Sequence, residues 1–216
     1  MGKIIGLLTL LFFGVSAQGK LSGGQPPSVL PPEYIYPPKN QAQPPPELVK
    51  CLSVVKVQFY DEKGRLSKGE LVVNRDLVPD VKKIFALIKK LRFPIKSVEP
   101  IQKFGWSDEA SILKDNTSAY NYRLVAGKAE LSYHALGRAI DINPYCNPFI
   151  ENGVSFPPGA IHNPNLPCAV DGKKGEAIVE AFKSMGWTWG GNWQNPKDYQ
   201  HFQKPGANGR QAPHCK

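Results

Sequence analysis

The chain reads as an α+β domain on three observations. An apolar period of two residues opens the folded part, a period of 3.6 follows it, and the later strands and helices do not alternate in regular βαβ units. Its 216 residues, 41% hydrophobic and 21% charged, suit one good-sized globular core. No apolar run approaches the ~20 residues of a bilayer-spanning helix. A glycine triplet period and a sustained heptad are also missing, which excludes collagen-like and coiled-coil readings.

Residues 1–17 read as a secretory signal peptide. Lys3 forms a positive start, Ile4 to Val15 a short apolar stretch, and Val15-Ser16-Ala17 a small-residue cleavage site. Residues 18–48 form a proline-rich arm, with nine of the 21 prolines between Pro26 and Pro46. Proline fixes φ and removes a donor, so the arm is expected to be extended. It could serve as a spacer or a partner ligand, or lie passively on the domain surface, the reading composition favours. Residues 49–216 make the domain.

Within it, Val55, Val57 and Phe59 share one face of a strand, Asp61 to Gly64 turn, and Glu70 to Asn74 return as a hairpin. An amphipathic helix begins near Pro79 and stops before Pro94. Its apolar side carries Val81, Ile84, Phe85, Ile88 and Leu91, and its wet side Lys82, Lys83, Lys89 and Lys90. A second helix runs from about Gly175 to Met185, with Gly186 as its cap. Short strands are expected at Asn121–Val125, Arg138–Ile142, Trp187–Trp189 and His201–Gln203. In the second of these, Ala139, Asp141 and Asn143 should face one way, and Ile140 and Ile142 the core.

Four cysteines, Cys51, Cys146, Cys168 and Cys215, agree with export and allow up to two disulfides in three pairings. The preferred pairing joins Cys146 to Cys168 across a loop rich in Pro, Gly and Asn, leaving Cys51 and Cys215 to tie the ends. Formal net charge is +9. The lysine-rich helix face lacks interleaved aromatics and any nucleic-acid module, so nucleic acid is not an expected partner. The excess charge suits an anionic wall or membrane surface.

The chemistry concentrates in Ser132-Tyr133-His134-Ala135-Leu136-Gly137-Arg138-Ala139-Ile140-Asp141. A histidine, a turn-permitting glycine and an aspartate on the next strand are natural parts of a metal site. Asp198-Tyr199-Gln200-His201 could add a third ligand, His201, and a carboxylate, Asp198, within reach of a metal-bound water. Two imidazoles and one carboxylate leave zinc an open position for that water.

These segments, with Asp115–Arg123 (DNTSAYNYR) and Trp189–Gln203 (WGGNW…DYQHFQ), resemble the D-alanyl-D-alanine carboxypeptidase family of zinc peptidases. That family takes in VanY-type carboxypeptidases, vancomycin-resistance dipeptidases and some phage L-alanyl-D-glutamate endolysins. The resemblance runs roughly from Phe93 to Gln203 and does not account for the signal peptide, the arm or the cysteines. It implies a small, mostly antiparallel sheet with flanking helices, of the hedgehog/D,D-peptidase type. It also implies one Zn2+ per chain held by His134, Asp141 and His201, with Asp198 as catalytic acid/base. Arg123 would lie over the scissile carbonyl and Ser132 near the substrate, although packing beside His134 suits Ser132 equally. The expected partner is the peptide stem of bacterial peptidoglycan, cut at D-Ala-D-Ala or at L-Ala-D-Glu, by a monomer in the periplasm or outside the cell.

Other candidates have plainer readings. His162 lies among turn formers and should face solvent, and His214 belongs to the tail. Cys146 could bind zinc, but export favours a disulfide. Trp187, Trp189 and Trp193 either line a groove or pack on the sheet. Asn116-Thr117-Ser118 fits a glycosylation sequon, which means little for the bacterial source that the resemblance implies. Two rival functions are a wall-binding module that keeps zinc for structure and a scaffold acting through its arm.

Overall fold

A computed structural model describes Gly2 and residues 30–206. The cleavage site, the first part of the arm, His214 and Cys215 lie outside the described residues. The fold is α+β. In chain order come α1 (Pro46–Val49), β1 (Leu52–Tyr60), β2 (Leu66–Asn74), α2 (Val78–Leu91), β3 (Ser97–Val98), α3 (Asp108–Ile112) and β4 (Asn116–Thr117). Then follow β5 (Ala139–Asp141), β6 (Phe149–Glu151), β7 (Val154–Phe156), α4 (Glu176–Ser184), β8 (Thr188–Trp189), β9 (Lys197–Asp198) and β10 (His201–Gln203).

β1 and β2 form the expected hairpin, in register from Leu52↔Asn74 to Tyr60↔Leu66. Its inner residues Val55, Val57, Phe59, Leu71 and Val73 meet Val81, Ile84, Phe85 and Ile88 of α2 in the main core, which also takes in Ile140, Ile142, Phe182 and Phe202. Each such side chain contributes roughly 1.5–3 kcal/mol on burial, so the apolar stripe of α2 fixes its seat. Asp80 in the first turn and Lys89 and Lys90 in the last complement the helix dipole, and Arg92 closes the helix at φ 49°.

Two three-stranded antiparallel sheets build the other half, ordered β5-β10-β8 and β7-β6-β9. The short pair β3-β4 is parallel. β5 is buried throughout, because Ser118 exchanges backbone hydrogen bonds with Asp141 on one side and β10 covers the other.

Four expectations change. Asn121–Val125 is reduced to an isolated antiparallel bridge, Leu124 to Leu131, because the adjoining Tyr120 N–H goes to Val72 O and the Asn121 N–H to His134 O rather than to a ladder. Asn143 does not continue the outward face of Asp141. With φ 45° it turns away and donates to Pro94 O and Cys168 O. The proline-rich stretch, from residue 30 on, is packed rather than freely extended. Leu30 and Ile35 join Leu52, Val72, Ile101, Trp106 and Tyr120 in a second apolar cluster, and Tyr34 donates to Glu70 at 2.7 Å. His162 is not solvent-facing, since its ring stacks on Tyr199 at 3.6 Å and its Nε2 meets Asp171 Oδ2 at 2.7 Å.

Cys146 is bonded to Cys168, their Cα atoms 5.8 Å apart, so it is no metal ligand. Cys51 is also disulfide-bonded. The Asn116 amide is fully buried, donating to Glu99 O and Ser111 Oγ, and so is inaccessible to glycosylation in the folded domain.

Candidate metal centre

The segment Ser132–Gly137 makes one tight turn. Ser132 Oγ accepts the His134 N–H at 3.2 Å, and a 3-10 turn over His134–Leu136 ends on Gly137 at φ 63°. A Cβ at Gly137 would lie 2.7 Å from Asn74 N and 2.8 Å from a Leu52 methyl. Glycine is therefore required there twice over, for its backbone angle and for the close approach of the hairpin end. The chain then enters β5, whose last residue is Asp141. Across the antiparallel pair β5-β10, Asp141 stands directly opposite His201.

These placements bring three groups that the chain separates by up to 67 residues into one buried cluster. His134 Nε2 lies 3.1 Å from Asp141 Oδ2 and 3.2 Å from His201 Nδ1, which lies 2.9 Å from Asp141 Oδ1. His134 Nδ1 is 2.5 Å from Ala119 O, an acceptor only, so Nδ1 carries the hydrogen and Nε2 presents a lone pair. His201 Nε2 faces Gln203 Oε1 at 2.9 Å and Nδ1 faces Asp141 Oδ1, so the neutral ring that a metal requires would keep its hydrogen on Nε2 and offer Nδ1. With both rings neutral their lone pairs would converge on one point. Ligands ~2.0–2.1 Å from zinc stand about 3.3 Å apart in a tetrahedron, close to the separations here. The residues fit the ion.

Electrostatics agree. Burial alone would raise the Asp141 carboxyl, but the two imidazoles outweigh it and hold Asp141 well below the usual carboxylate range. Burial would lower His201, yet Asp141 and Asp198 lift it to about 9. The Asp141 carboxylate thus stabilises positive charge between these side chains.

Asp198, at the end of β9, lines the same groove. The residue is half-buried overall, but its Oδ1 is wholly shielded and without a hydrogen-bond partner, and burial pushes the carboxyl up to about 7. Gly190 allows its seat, because a Cβ there would lie 2.5 Å from Asp198 O. Arg123 also lines the groove, its Nη2 held 2.8 Å from Asp108 Oδ2. Ser132 is buried at the groove wall, where its hydroxyl serves the His134 turn.

Of the tryptophans, Trp187 donates to Asp80 and Trp189 to Tyr199 O, both buried. Trp193 lines the groove, its ring centroid 5.5 Å from that of His201. Sequence reasoning assigned no role to Ala119, Gln203 or Gly190. A backbone carbonyl has no side-chain signal, whereas Gln203 and Gly190 stood inside quoted motifs and could have been found there.

Two imidazoles and one carboxylate beside a shielded acid in one groove are a donor set that could hold a single metal ion with an open position, as metal-dependent hydrolases do. Residues 126–204 match the model of a family described as D-alanyl-D-alanine carboxypeptidase, the zinc peptidase family that the motifs resemble. The match takes in His134, Asp141, Asp198 and His201, and Arg123 precedes it. No curated protein and no solved structure matches the chain.

Proposed function

We propose that this protein is an exported zinc peptidase that hydrolyses amide bonds in peptidoglycan stem peptides. The observation that carries the reading is the buried convergence of His134, Asp141 and His201 beside the shielded carboxylate of Asp198. Bound at the three ligands, zinc would act as a Lewis acid that lowers the pKa of water towards ~7. Asp198 accepts the proton of the attacking water and returns it to the leaving amine. Arg123, anchored by Asp108, supplies positive charge at the groove wall for the developing oxyanion. Phe149, Phe156 and Trp193 give the groove apolar surface against the substrate and limit water.

Export is supported by the signal-peptide pattern and by the Cys146–Cys168 disulfide. Among the described residues no helix is long and apolar enough to cross a membrane. A wall-binding module with structural zinc is disfavoured by Asp198, because a shielded unpaired acid is costly to keep without a task.

The test is digestion of purified peptidoglycan and free stem peptides with zinc or chelator, read by product mass. Zinc-dependent loss of terminal alanine identifies a carboxypeptidase, and a cut after the first L-alanine an endopeptidase. Zinc bound at one equivalent with no stem cleaved would refute the peptidase and favour the binding module.

A further inference from the structure

Charged side chains line the metal-centre groove, and most of them are matched within the protein. Arg123 is held by Asp108 at 2.8 Å, Lys128 lies 3.8 Å from Glu130, and Asp141 meets both imidazoles. Asp198 has its place in the proposed reaction. Glu151 is the exception. It lines the same groove and is exposed, and among the described residues its carboxylate has neither an ion pair nor a hydrogen-bond donor. A free carboxylate is ordinary on an open surface. What sets this one apart is where the fold holds it.

Glu151 ends β6, the middle strand of the sheet β7-β6-β9. In that sheet Asp198 stands opposite Phe149. Side chains two apart on a strand share a face, so Phe149 and Glu151 both reach the groove while Ile150, between them, does not. Two residues of strand carry Glu151 about 7 Å along β6 from the Phe149–Asp198 pair, the length of about two residues of an extended peptide. The position is fixed from both sides. Asn152 and Gly153, at φ 50° and 80°, make the two-residue turn to Val154, which pairs with Glu151. Asn195 grips that turn, its Oδ1 accepting the Asn152 N–H at 3.2 Å and its Nδ2 donating to Asn152 Oδ1 at 2.8 Å. A carboxylate accepts hydrogen bonds and carries negative charge, so its complement is a positively charged donor. Within a peptide chain that donor is a basic side chain.

We propose that Glu151 is a specificity-determining residue that receives a basic side chain of the substrate peptide, about two residues from the bond that Asp198 helps to cleave. The inference rests on the peptidase reading above and adds a substrate preference to it. The carboxylate attracts a basic residue and repels an acidic one at the same place, so both terms contribute to the discrimination.

The test gives the zinc-loaded wild type, Glu151→Gln and Glu151→Lys a cleavable stem peptide with a blocked N-terminus. The peptide carries lysine, acetyl-lysine or glutamate at one position at a time, over three residues on either side of the cut. At one position, acetylation of the lysine should lower wild-type kcat/KM by roughly twofold to fivefold, the range of a solvent-exposed ion pair. Glutamate there should cost about tenfold, since repulsion replaces attraction. Glu151→Gln should abolish the preference and Glu151→Lys reverse it. The wild-type preference should shrink in ~1 M salt, where charges are screened within about 3 Å. Calorimetry of the same peptides on zinc-free protein should give the same order of affinities. Glu151 is exposed, so both variants should fold, with circular dichroism and zinc at one equivalent as the checks. Equal lysine-to-glutamate ratios in wild type and both variants at every position would overturn the role of Glu151 alone. Failure of the wild type to cleave any stem peptide would instead overturn the peptidase reading, and this inference with it.

Discussion

Replacing Gln203 by leucine tests how the proposed zinc ligands are oriented. The His201 ring presents Nδ1 to the cluster because Nε2–H is held by Gln203 Oε1 at 2.9 Å. Leucine fills similar space but accepts nothing, which leaves a donor in a mostly buried ring unpaired at ~1–3 kcal/mol. The ring can recover part of that only by taking the other tautomer or turning, and either withdraws the Nδ1 lone pair. Loss of such outer partners typically lowers metal affinity about 10–100-fold, or ~1.4–2.7 kcal/mol, so two independent routes give one magnitude. Gln203→Glu retains an acceptor and should bind zinc at least as well as the wild type. The assay is competition for zinc against a chelating indicator near neutral pH, with circular dichroism of the metal-free proteins as the fold control. Wild-type zinc affinity in Gln203→Leu, or equal losses in the leucine and glutamate variants, would refute the argument.

Asp198→Ala should keep one equivalent of zinc while turnover on stem peptides falls ~10²–10⁴-fold; retained turnover in the zinc-loaded variant would remove Asp198 from the acid/base role. Burial raises the Asp115 carboxyl, with the Tyr145 N–H and Lys96 opposing, so the folded state holds that proton more tightly than the unfolded chain. The stability Asp115 contributes is therefore fullest below the ordinary carboxylate pKa of ~3.9 and is lost as pH rises through the folded value. Asn accepts the Tyr145 N–H and suits φ 54° equally, so Asp115→Asn should raise the neutral-pH melting temperature by on the order of 1–2 °C. The gain should close at acid pH, and a gain independent of pH would contradict the sign. Ile35→Ala and Leu48→Ala, at 4% and 1% exposure, should each lower stability by ~2–4 kcal/mol in urea unfolding. Losses below ~0.5 kcal/mol, the range of ordinary surface substitutions, would mean that the proline-rich segment is a passenger.

The elements legible in the sequence were those whose signal is local. The hairpin and α2 carry long apolar periods bounded by turn residues, and the structure places them within two residues of expectation at most boundaries. The return strand begins earlier than its apolar run, at Leu66, because pairing with Tyr60 extends it through polar residues. Asn121–Val125 looked like a strand because Tyr122, Leu124 and Val125 favour one, but the neighbouring backbone is claimed by β2 and by the His134 turn. His162 was misread because its partners, Asp171 and Tyr199, lie 9 and 37 residues away in the sequence and no local pattern joins them.

For the site the division is sharper. Residue type and short spacing marked His134, Gly137 and Asp141 as one unit, since a turn of that length followed by a strand presents both ligands by local geometry. The motif around His201 supplied a third ligand and an acid as candidates. Only the tertiary structure decided that His201 stands opposite Asp141 in register, that Ala119 O and Gln203 set which imidazole nitrogens face inward, and that Glu151 shares the groove wall. Those decisions rest on contacts across 15 to 67 residues. They are made by the burial of Ile140, Ile142 and Phe202 in the common core, which sets where the strands pair. Sequence named the donor atoms; packing determined where their lone pairs meet.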